Sequence, residues 1–180
     1  MNNKELFNLF LRYAVLMLIG LFGINLIYFI FTPIIIYPAF WILKLFYADI
    51  VLESKTLLLN SQSINIIPAC IAGSAYYLLL VLNLATQMRI KTRIKSIIFL
   101  FLSFSALNII RLSVFAALFF ASCSYFDLAH KAVWYFGSTL FVVALWFVNV
   151  YLFKIKAIPV YTDFKNLSSN LIIQKRKKKK

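Results

Sequence analysis

Long apolar runs separated by short polar or basic segments dominate this chain. Residues 13–31 form one uninterrupted run, enough for a first transmembrane helix, since a span needs roughly 20 apolar residues. Thr32-Pro33 reads as the end of that helix. The apolar residues 33–50 are interrupted by Pro38 and mix Lys44 and Asp49 with Tyr37, Trp41 and Tyr47. That mixture favours a helix lying at the outer interface over another span. Residues 51–67 turn polar and β-rich around Asn60-Ser61-Gln62-Ser63, as a short hairpin over the mouth of a bundle or an ordinary connecting loop.

A second span is expected over residues 66–86, followed by a basic loop containing Arg89, Lys91, Arg93 and Lys95 and no acid. A third covers residues 96–121. After the loop 122–127, a fourth covers residues 128–153, with Asp127 as its N-cap. The basic residues sit in alternate flanks, as the positive-inside pattern requires, so both termini are expected in the cytoplasm. The fold class predicted is an all-α integral membrane protein: about four transmembrane helices, an interfacial helix and a short outer hairpin. Residues 1–157 would form a single transmembrane catalytic domain and 158–180 a basic cytoplasmic tail. The N-terminal run, preceded by Lys4 and Arg12, is too long for a signal-peptide core and lacks a small-residue cleavage site, so it reads as an anchor.

Composition supports this reading. Of 180 residues, 63% are hydrophobic and 13% charged, at a mean hydropathy of +0.90, more apolar surface than a soluble domain of this size can bury. The net charge of +14 lies in the flanks and in the terminal QKRKKKK. Such placement points to anionic lipid head groups, not to nucleic acid. Two cysteines, Cys70 and Cys123, with neither a C-x-x-C pair nor metal-ligand spacing, give no metal or other cofactor.

Loop charges alone bring three reactive side chains to one level of the membrane. Cys70 falls in the first turn of the second span, just after Pro68, where the helix dipole favours a thiolate. Gly73 and Ser74 on the same face would leave open volume beside the sulfur. Arg111 lies on the order of 22 Å into the third span at about 1.5 Å per residue. An arginine at that depth persists where it faces a polar cavity or a partner, and Asn108 shares its face. His130 opens the last span, with Asp127 able to set its tautomer and Trp134 to cover its ring. Together they suit nucleophilic catalysis: Cys70 attacks a peptide carbonyl, His130 serves as general base and then acid, and Arg111 stabilises the oxyanion. Cys123 reads as inert.

The segments PACIAGSAYYLLLVLNL, LNIIRL and FDLAHKAVWYF resemble, in order and spacing, the three motif blocks of the exosortase and archaeosortase family, nearest to its small archaeal pacearchaeosortase branch. The resemblance implies a membrane-embedded cysteine transpeptidase with Cys70 as nucleophile, Arg111 as catalytic arginine and His130 as third member. It also implies substrates: secreted proteins with a C-terminal tripartite signal of short motif, transmembrane helix and basic cluster, cleaved at the outer face and transferred to a membrane lipid. Many members have about twice as many spans, and the ACIAG block replaces a Ser-Gly that follows the cysteine in bacterial members. The alternatives from the residues themselves are a non-enzymatic assembly or transporter component with a structural Arg/His contact, and acyl transfer to Cys70.

Overall fold

The computed structural model describes residues 23–86 and 88–155, with isolated positions at 11, 14, 17, 18 and 20. The expected start of the first span and the basic tail lie outside the described residues. Among the described residues, four helices are long and apolar enough to cross a membrane: Ile24–Lys44, Pro68–Ala85, Ile90–Phe120 and Phe126–Leu152. The molecule is a multi-pass membrane bundle carrying one small sheet.

The first of these, α1 (Ile24–Lys44), runs straight through Pro33 and Pro38. The expected break at Thr32-Pro33 and the separate interfacial helix over residues 33–50 are therefore corrected: residues 33–44 are the second half of one span. A proline ends a helix in water because a lost hydrogen bond and a ring clash outweigh what remains; an apolar surrounding makes leaving the helix costlier still. α1 buries Ile27, Phe31, Ile35, Ile36, Ala39 and Leu43 along one stripe, packed on the second and third spans. Lys44 closes it with its ammonium over the rings of Phe40 and Trp41, at 5.7 and 5.6 Å.

The hairpin expected near Asn60 is a three-stranded antiparallel sheet, β1 (Val51–Glu53), β2 (Thr56–Leu59) and β3 (Gln62–Asn65), in that order. Leu59 pairs with Gln62 and Glu53 with Thr56, so each turn holds two residues. Ser54 and Asn60 take the positive φ such turns require, 57° and 53°. Leu57 and Leu59 point from β2 into the core, and Gln62 Nε2 donates to Ser122 Oγ at 3.3 Å. These contacts seat the sheet on one end of the bundle.

The second span is two helices, α2 (Pro68–Ile71) and α3 (Gly73–Ala85), separated by Ala72 in the left-handed conformation, φ 56° and ψ 44°. α4 (Ile90–Phe120) has 31 residues. Its first turns carry Lys91, Arg93 and Lys95, which sequence reading assigned to a loop. The last span comprises α5 (Phe126–Ala132), a π-helical turn (Val133–Gly137) and α6 (Ser138–Leu152).

At the centre, Phe31 stacks on the fully buried Tyr76 with centroids 3.9 Å apart, while Phe101 and Phe104 meet that ring edge-on. The Tyr76 hydroxyl shares a 2.8 Å hydrogen bond with Ser105 Oγ, so the ring's polar atom is satisfied within the apolar core. Nearer the Arg93 end, Asn83 Nδ2 donates to Ser96 Oγ, which donates to Asn149 Oδ1 at 2.8 Å, joining α3, α4 and α6.

Candidate functional site

Ala72 organises the end of the bundle beneath the sheet. A left-handed residue breaks the repeating pattern in which each carbonyl accepts from the amide four residues on. Ala75 N–H bonds to the Ala72 carbonyl instead of that of Ile71. The freed carbonyls of Cys70 and Ile71 need other donors inside an apolar bundle. Asn108, 2% exposed, supplies both from one amide: Nδ2 donates to the Cys70 carbonyl at 3.1 Å and to that of Ile71 at 3.0 Å. One helical turn further along α4, Arg111 Nη2 donates to the same Cys70 carbonyl at 2.9 Å, and Nη1 donates to Ser138 Oγ at 2.9 Å. These bonds use two of the guanidinium's five N–H groups, and no carboxylate pairs with Arg111 among the described residues.

Cys70 is the third residue of α2, with its N–H on the Ile67 carbonyl at 2.9 Å. The long helix whose dipole was expected to act on the thiol is here a single turn. Gly73 does not open space beside the sulfur either: a Cβ there would meet the Tyr28 ring at 2.6 Å, so the glycine lets α1 and α3 approach closely. Both Cys70 and Cys123 are free thiols.

The space adjoining Cys70 is a cavity of about 560 Å³. Cys70, Arg111 and His130 all line it, each from a different span, along with Phe115, Phe119 and Phe126 and with Ser63, Ile64 and Asn65 of the sheet. His130 lies parallel to Phe126 at 5.5 Å and edge-on to Phe115 at 5.3 Å. Phe126 thus covers the ring, the part expected of Trp134, whose side chain lies outside the described residues. Asp127 does not orient the imidazole: its Oδ2 accepts from Lys131 Nζ at 2.8 Å, one turn along an exposed face. Lysine wins because it brings a full charge at the i+4 position, where helix geometry brings side chains together. Nor is Asp127 the N-cap, which falls on Tyr125 without a side-chain bond. No hydrogen bond reaches the His130 imidazole among the described residues.

Two participants escaped sequence reading. Ser138 was hidden because a lone serine in an apolar helix usually bonds its own backbone; here its hydroxyl accepts from Arg111 on another span. The left-handed Ala72 carries no sequence mark, since such a position normally selects glycine or asparagine. In chemical terms the site combines a thiol, a guanidinium with no counter-ion among the described residues and an imidazole, in a pocket walled by phenylalanines. Comparison with protein-family models, curated proteins and solved structures returned no match for this chain.

Proposed function

We propose that this protein is a membrane-embedded cysteine transpeptidase that cleaves the C-terminal sorting signals of exported proteins. The observation supporting it is that a thiol, a guanidinium and an imidazole from three separate spans line one cavity. The Cys70 thiol gives its proton to His130, and the sulfur attacks a peptide carbonyl. The negative charge that develops on the carbonyl oxygen is met by the N–H groups of Arg111 not engaged with Cys70 and Ser138. The tetrahedral adduct collapses, the C–N bond breaks, and His130 returns the proton to the departing amine. A thioester on Cys70 remains, resolved by water or by an amine or hydroxyl of a membrane lipid. The basic residues 89–95 lie at the end of the bundle away from the cavity, so the positive-inside rule supports a cytoplasmic location for them and an outer one for the site. The cytoplasmic termini and a lipid-attracting tail follow from the same rule.

One observation favours a second reading, a non-enzymatic membrane component: Arg111 and Asn108 are already employed in capping carbonyls, a structural task. Substituting Cys70→Ala separates the two. Co-expression with a secreted reporter ending in a short motif, an apolar helix and a basic cluster, followed by mass measurement of its C-terminus, is expected to show processing by the wild type and none by Cys70→Ala or His130→Ala. Unchanged processing by Cys70→Ala removes the cysteine from the mechanism.

A further inference from the structure

Among the described residues β3 is an edge strand, paired with β2 alone, and its residues Ser63, Ile64 and Asn65 line the same cavity as Cys70. The direction of its peptide groups follows from the register. Ile66 N–H bonds to the Lys55 carbonyl at 2.9 Å, and Ile64 stands opposite Leu57 and Gln62 opposite Leu59. In an antiparallel pair, alternate residues turn their N–H and C=O groups to the same neighbour. Gln62, Ile64 and Ile66 therefore face β2, and Ser63 and Asn65 turn theirs to the open edge. Both are exposed, and neither has a further hydrogen-bond partner among the described residues.

We infer that an extended peptide adds to this edge as a fourth strand, with its backbone on the N–H and C=O groups of Ser63 and Asn65, and is thereby carried to Cys70. The inference rests on the transpeptidase reading and names how its peptide substrate is held. Strand addition suits this edge for three reasons. An open row of backbone donors and acceptors is a ready template for a further strand. The pairing is indifferent to most side chains, while every second side chain of the added strand would enter the phenylalanine-lined space. Only residues 66–69 separate the edge from the cysteine, and the left-handed Ala72 holds α2 at the cavity wall. The recognised chemistry is an unfolded, extended polypeptide, such as the segment just before a membrane anchor.

The test uses the full-length Cys70→Ala protein in lipid nanodiscs and, as probe, a synthetic peptide of the residues preceding the reporter's apolar tail. Two further peptides carry N-methyl groups on odd or on even amides. The native peptide is expected to slow hydrogen exchange at the Ser63 and Asn65 amides. One methylated set should lose about tenfold or more in affinity while the other binds like the native peptide, because only alternate amides face the edge. Asn65→Pro, which deletes an amide pointing away from β2 and so keeps the ladder, should weaken binding to a similar degree. Equal sensitivity to both methylated sets, no protection at the edge, or no binding overturns strand addition, whatever the fate of the cysteine mechanism. Alternating sensitivity combined with undiminished processing by Cys70→Ala sustains strand addition and overturns the nucleophile.

Discussion

Asn108 does more for this site than its place beside a functional arginine suggests. Its single amide nitrogen closes two carbonyls that Ala72 has released, and no other donor among the described residues reaches that of Ile71. Replacing it with leucine, of similar size, leaves that carbonyl buried without a donor, at about 1–3 kcal/mol. Asn108→Leu is therefore expected to lower unfolding stability in detergent by that amount, and equal stability would show that the turn closes without it. Its spacing to Arg111 suggested that Asn108 holds the guanidinium, whereas its amide goes to the two carbonyls. These partners were not legible, because they exist only once Ala72 leaves the helical region. The Asp127 misreading has a similar origin: proximity in sequence to His130 said nothing about competition from Lys131, which the helical period places one turn away.

At the scale of elements, the apolar run lengths and loop charges were sufficient to find four spans, and insufficient to find where the first one ends. Pro33 and Pro38 read as punctuation by rules drawn from helices in water. α1 ignores both, since an interrupted backbone among apolar neighbours would expose more unpaired groups than two prolines remove. α1 instead depends on close contact with α3 at Gly73. Gly73→Ala puts a methyl group inside contact distance of the Tyr28 ring and is expected to destabilise by about 1–3 kcal/mol through overpacking. Adding Tyr28→Leu should recover part of that loss, and a strictly additive double mutant in a thermodynamic cycle would refute the contact.

Across the whole molecule, two polar assemblies hold the spans at opposite ends. One is the Asn108–Arg111–Ser138 group around the cavity; the other is Asn83–Ser96–Asn149, in which one serine bridges two fully buried amides. Ser96→Ala removes both bonds at once. Since interhelical hydrogen bonds in membranes contribute about 0.6 kcal/mol on average and up to about 1.7, a loss of about 1–3 kcal/mol is expected, measured by unfolding in detergent. The variant should keep any peptide processing, because the cavity lies at the far end; simultaneous loss of processing at full stability would tie the two ends together. Lengths and charges along the chain made the four spans found among the described residues and the shared level of Cys70, Arg111 and His130 readable. The sheet's third strand and its open edge were not, since β1 is three residues long and too short to show alternation.

The π turn at Val133–Gly137 sets the angular phase of everything before it on the last span. A regular α-helix advances about 100° per residue, so deleting one amino acid from this turn would rotate α5 by roughly that angle relative to α6. Ser138, past the turn, would stay with Arg111, whereas His130 would swing off Phe115 and away from the cavity. The imidazole's address in this protein is thus written as one surplus residue within a five-residue turn, and a chain shortened there would keep Cys70, Arg111 and His130 yet aim the last of them at the wrong neighbour.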